Sequence, residues 1–201
     1  TTTPAPVATP VPFPTFPPLP TAPPEPTGTA TPTPRADALE VFGGQLAAGW
    51  GLWDPRQISV LAVDPRRHRL VLTARAAAGL TDDEAPRLVQ PASGDFMIET
   101  RVVDQVCTTA GLMARDQAGN YAVAAYQRDE GYALLTGVAD GRRRFLLDFP
   151  YVGQGLALRL LRSGETVRAE ISTDRQYWRT VGQGVLPLGS AVTVGIVLWP
   201  T

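Results

Sequence analysis

The chain is 201 residues long, with 18 basic and 19 acidic side chains, one histidine and one cysteine. A net charge of −1 offers no electrostatic draw to nucleic acid or to an anionic membrane, and no apolar run approaches the ~20 residues of a membrane span. The lone Cys107 excludes an internal disulfide and a thiolate metal cluster, and it reads as a small buried hydrophobe rather than a reactive thiol.

Residues 1–35 are a Thr/Pro/Ala tract that holds thirteen of the 20 prolines. Proline fixes φ and removes a backbone donor, so neither helix nor central strand is open to this tract. Its expected backbone is polyproline II, about 3.1 Å per residue and about 100 Å when fully extended. Such tracts serve as spacers in exported proteins, which points to an extracellular or cell-surface location. The tract also carries an apolar patch, VPFPTFPPLP, in which Phe13, Phe16 and Leu19 recur every third residue. Two readings stand. One is incidental apolar content in a solvated spacer. The other is a docking strip that lays these three side chains into a groove. Thr1 opens directly in the tract with no signal-peptide pattern, as expected of a mature form or of a piece of something longer.

Residues 36–201 predict one domain with a core of its own. Leu39, Val41 and Leu46 begin a strand. QISVLAV (57–63) and RLVLTA (69–74) are strand-like, joined by a turn in which Pro65 suits the second position. Residues 76–85 read as a loop with room for one helical turn. PRLVQP and GDFMIETRVV add two strands. GLMAR and YAVAAYQR form a hairpin, and YALLTGV and RRRFLLDF form another across Asp140-Gly141. The stretch 155–178 alternates most clearly: Leu156, Leu158 and Leu160 before Ser163-Gly164, then Val167, Ala169 and Ile171 after it. That is an antiparallel hairpin with one buried face, which needs a second layer to cover it. A loop containing Gln183-Gly184 leads to the final strand, SAVTVGIVLW. Short strands at close spacing, with almost no helix, predict an all-β, two-sheet antiparallel β-sandwich. Trp178 and Trp199 are expected in its core or at its rim.

The same stretch carries a resemblance. Leu158, Arg159, Leu160, Arg162, Gly164, Ala169, Ser172, Asp174 and Trp178 match an L-R-L-x-R-x-G-x-x-x-x-A-x-x-S-x-D-G-x-x-W pattern. The chain thereby resembles concanavalin A-like β-sandwich modules of the DUF1349 type, which are similar to the C-terminal domain of some bacterial β-xylosidases. Gly94-Asp95-Phe96 and Ala110–Arg115 also fit, and the resemblance covers residues 38–199. It implies jelly-roll topology and a concave sheet whose outer face holds ligands. Arg175 stands where the family has glycine, which puts the conformation of the Asp174 turn in question.

Catalytic chemistry is sparse. His68 lies in a turn beside arginines, so any Ser-His-Asp or Cys-His arrangement rests on a residue with nothing local to support it. No interleaved carboxylate run of the glycosidase kind is present. No cofactor motif is found. Asp82, Asp83 and Glu84 are adjacent acids, read either as Ca²⁺ ligands or as a solvated loop. A binding surface is easier to assemble. Tyr126 and Arg128 share a strand face with Ala122 and Ala124, and Arg115, Tyr132, Arg144 and Asp148 sit on neighbouring strands. Together they form either a shallow groove for sugar hydroxyls or ordinary solvent-face charge pairs.

Two function classes follow, and neither is an enzyme. The first is a recognition module for a glycan or cell-surface polymer, attached through the 1–35 spacer. The second is a structural subunit in which the Pro-rich tail packs on a neighbouring copy. The tail separates them. Phe13 and Phe16 changed to serine should leave sedimentation and tail proteolysis unaltered if the tract is a spacer. A docking strip would show faster tail cleavage and loss of any oligomer in the same variant.

Overall fold

The structure is a computed structural model that describes residues 46, 48–102, 109–151, 153 and 155–200. The readings made for the tract 1–35, with Phe13, Phe16 and Leu19, for Leu39 and Val41, and for Cys107 lie outside the described residues. Leu46 belongs to no strand.

The described residues contain thirteen strands and no helix. In chain order they are β1 (Gly51–Trp53), β2 (Ser59–Asp64), β3 (Arg69–Ala74), β4 (Arg87–Ser93), β5 (Phe96–Val102), β6 (Thr109–Asp116) and β7 (Tyr121–Gln127). Then come β8 (Tyr132–Ala139), β9 (Arg142–Pro150), β10 (Leu156–Ser163), β11 (Thr166–Ser172), β12 (Arg179–Val185) and β13 (Ala191–Trp199). One sheet runs β1-β4-β13-β6-β7-β8-β9 and the other β12-β11-β10-β5, while β2 and β3 pair only with each other. Every strand pairing is antiparallel.

The β10–β11 hairpin is the centre of the smaller sheet. Ser163 faces Thr166 across a two-residue loop in which Gly164 takes a φ of 59°, a left-handed conformation that glycine adopts without penalty. Leu158, Leu160, Val167, Ala169 and Ile171 are all buried, as the alternation predicts. They share one cluster with Ala114, Ala122, Ala124, Ala133 and Ala139 of the larger sheet. The alanines of the larger sheet leave room for the branched side chains of the hairpin, so the two sheets interdigitate. Arg162 points inward at the end of this face and is only 9% exposed. Its guanidinium donates to the carbonyls of Gly164 at 2.9 Å, Gly189 at 2.7 Å and Leu188 at 2.7 Å. A buried cation is tolerated when its donors are satisfied in this way. The contacts tie the approach to β13 to the hairpin.

Residues 179–185 are a strand, β12, where the sequence predicts a loop around Gln183-Gly184. Gly182 and Gly184 are what made this segment read as a loop, and packing explains them. A Cβ on Gly184 would meet the Phe145 ring, and one on Gly182 would meet Leu147. Glycine in a strand marks the close approach of another layer. Residues 76–85 do form a loop with one helical turn, closed by Ala85 N–H donating to the Thr81 carbonyl at 3.1 Å.

Leu160→Ala should lower the free energy of unfolding in urea by about 2–5 kcal/mol, because it empties a fully buried site between the sheets. Gly184→Val should cost about 1–3 kcal/mol by displacing the Phe145 ring, whereas a loop glycine would tolerate the change.

Candidate functional site

The outer face of the seven-stranded sheet is where the sequence places a groove. Strand register divides the six predicted residues. Tyr126 follows Ala122 and Ala124 into the sandwich and is 6% exposed. Its hydroxyl donates to the Gly153 carbonyl at 3.3 Å, and its ring meets Tyr151 edge-on with centroids 5.6 Å apart. The alanine face of β7 is therefore core, not groove. Arg128 lies in the turn after β7, off the sheet face. Arg115 and Tyr132 are on the outer face, but Arg115 opposes Tyr121 and Tyr132 opposes Gln127. Six residues along β7 separate those positions, about 20 Å at strand rise. Arg144 pairs with Asp140 at 2.6 Å. Tyr132 lies near Asp148, and its hydroxyl is shifted above the usual phenol range, first by a hydrogen bond with Glu130 and then by burial. The six residues do not converge.

A loop covers much of this face. Asp82 accepts from the Tyr121 hydroxyl and from Trp199 Nε1 at 3.2 Å. Asp83 pairs with Arg115, and its carbonyl accepts from Trp53 Nε1 at 3.1 Å. Glu84 takes both Arg56 donors, at 2.9 and 2.8 Å, and that pairing holds its carboxyl below the usual range. The three acids thus serve three separate anchors instead of converging as Ca²⁺ ligands. No group of three or more metal-ligating acids, histidines or cysteines occurs among the described residues. Beneath the loop, burial and the bond to Asp82 push the Tyr121 hydroxyl far above its ordinary value. Arg87, desolvated beside Arg115, is lowered to about 10. Ala85 seals a small second core with Met113, Tyr121, Val123, Ala125 and Val197, and Trp199 packs at its rim.

A different site opens at one end of the sandwich, where β9 meets β11 and β12. A cavity of about 390 Å³ lies between Phe149, Tyr151, Leu156 and Ile171 on one side and the 172–179 turn on the other. The turn is built on Asp174. Its Oδ1 accepts from the Ser172 hydroxyl at 3.0 Å, Gln176 N–H at 2.8 Å and Tyr177 N–H at 2.9 Å. The amides of Tyr177 and then Gln176 hold its carboxyl below the usual range. Arg175 takes a φ of 63°, so a non-glycine residue holds a left-handed conformation at the turn position that the sequence puts in question. The Ser172 hydroxyl accepts its N–H at 2.8 Å, and its Nε donates to Glu99 at 2.5 Å. Behind it, the Arg159 guanidinium stacks 3.6 Å from the centre of the Trp178 ring. This geometry lifts Tyr177 over the cavity mouth, where it is 79% exposed. The sequence motif locates the turn. It does not reveal that Phe149 and Tyr151, about twenty-five residues earlier, close against it.

No protein-family model matches the chain, and no curated protein matches it. Solved structures do. A functionally unknown protein from Saccharomyces cerevisiae is 19% identical over 81% of this chain and 89% of that one, with a TM-score of 0.59. The GH43 BlXynB protein from Bacillus licheniformis is 15% identical over 80% of this chain and 35% of its own, with a TM-score of 0.60. The carbohydrate-binding module CBM66 from Bacillus subtilis is 15% identical over 76% and 88%, with a TM-score of 0.54. At these identities the likeness is one of fold. The chain is a jelly-roll β-sandwich of the concanavalin A-like kind, similar both to a separate module and to one part of a larger protein.

Asp174→Ala removes the shared acceptor of the turn and should lower the melting temperature more than Arg175→Gly does. The glycine variant relieves the positive φ but loses an exposed ion pair, two effects of about 1 kcal/mol or less that oppose each other. Thermal melts of both variants against the parent chain decide the order.

Proposed function

We propose that the chain is a non-catalytic carbohydrate-recognition module of the DUF1349-like kind, and that its ligand enters the cavity beside the Asp174 turn. The observation that carries this reading is the aromatic enclosure of that cavity. Phe149 and Tyr151 line it, and Tyr177 stands largely in solvent at its mouth. An exposed tyrosine whose backbone is anchored to Asp174 beside a cavity presents a π-face for a sugar ring. The cavity also falls within the ~300–1,000 Å³ typical of small-ligand sites. The likeness of fold to CBM66 supports the same reading. Within it, residues 1–35 are the spacer, the location is extracellular or at the cell surface, and the partner is a glycan or cell-surface polymer.

Affinity electrophoresis against a panel of soluble polysaccharides tests it. At least one polymer should retard the chain, and Tyr177→Ala should abolish the retardation while the melting temperature stays within a few degrees. Hydrolytic turnover of glycosides by the purified chain, or retardation that survives Tyr177→Ala, would overturn the proposal.

A further inference from the structure

The polar groups around the cavity are not equally available. Asp174 Oδ1 is occupied by the Ser172 hydroxyl and the amides of Gln176 and Tyr177. The Ser172 hydroxyl in turn accepts from Asp174 N–H at 3.3 Å and Arg175 N–H at 2.8 Å. Ser172 is thereby saturated, whereas Asp174 builds the turn through Oδ1 alone and its Oδ2 takes no bond from a described residue. Arg179 lines the same cavity at the start of β12. Its backbone is fixed by pairing with Ile171. No described residue gives its guanidinium a hydrogen bond, a carboxylate or a ring. The contrast with nearby arginines is direct: Arg159 and Arg175 both reach Glu99, and Arg168 reaches Glu170 at 3.1 Å. Thr173 and Tyr177 add hydroxyls at the rim that no described residue engages. The available set is one guanidinium, two hydroxyls and one carboxylate oxygen, Asp174 Oδ2, beside aromatic walls.

From this set we infer that the cavity takes an acidic sugar, a hexuronate whose carboxylate sits on Arg179 while its ring stacks on Tyr177. A guanidinium offers two parallel N–H donors, which match the two oxygens of a carboxylate. The hydroxyls of Thr173 and Tyr177 then serve the ring oxygens. Asp174 stays ionised, so its open Oδ2 suits a hydroxyl donor of the sugar while Arg179 takes the carboxylate. The inference rests on reading the cavity as a sugar site, and its test separates the two.

Isothermal titration of the full chain compares oligogalacturonate with neutral oligogalactose of equal length. The acidic ligand should bind about tenfold or more tightly, with an advantage that shrinks as salt rises. Arg179→Gln should remove the preference without removing Tyr177-dependent binding of the neutral ligand, and Arg179→Lys should restore only part of it. Arg179 is exposed, so both variants should melt with the parent. Equal affinity for the two ligands, both lost in Tyr177→Ala, would overturn the acidic preference and leave the sugar site standing. Failure of every sugar tried would overturn both. A preference for the acidic ligand that survives Arg179→Gln would assign the anion to another residue and overturn this inference.

Discussion

The contact between β9 and β12 decides where this sandwich closes and where it stays open. Phe145 fills the space above Gly184, and Leu147 fills the space above Gly182. Each large side chain of one edge strand meets a residue with no side chain on the other, so the two edges come together tightly. The series then ends. The next inward residue of β9 is Phe149, and the next positions of β12 are Thr180 and Arg179. With no glycine left to receive the aromatic ring, the edges part, and the cavity lies there. Packing that seals one half of the seam thus opens the other. The position of the cavity is a by-product of where two glycines stop.

The β10–β11 hairpin is legible in the sequence because its two faces differ. Leucine, valine and isoleucine alternate with arginine and glutamate, so period 2 reports directly on which side is buried. β7 carries no such contrast. YAVAAYQ is apolar at nearly every position, and its first six residues are all buried. One face meets the sandwich core and the other meets the 76–85 loop. A strand covered on both sides reads as a continuous apolar run, and nothing in it tells inside from outside. That is why Tyr126, in the core, looked like a member of a surface groove. The cavity is hidden for another reason. Its walls come from β9, β10, β11 and β12, and only the fold brings them together.

The Asp174 turn shows how a local departure is absorbed. A side chain at φ 63° costs energy that glycine would not. Arg175 meets that cost with an ion pair to Glu99, which also holds Arg159 against Trp178. The turn keeps its shape through a network on the outer face of the smaller sheet, and Tyr177 keeps its place. The loop over the larger sheet works in the same manner. Its acids are consumed by Tyr121, Trp199, Arg115 and Arg56, so the part of this face over β6, β7 and β13 is covered by its own chain.

The β2–β3 hairpin stands outside both layers. Asp54 pins one foot by accepting from Ile58 N–H, Ser59 N–H and the Ser59 hydroxyl, and Arg75 N–H returns to the Ile58 carbonyl at the other. Between those feet it shares no ladder with either sheet. The hairpin is therefore a graft on a fixed stem. It can lengthen, shorten or change its tip around His68 without shifting any register that supports the cavity. For descent and for engineering alike, it is the part of the domain most open to rewriting, since a changed tip would inherit a base fixed at both feet.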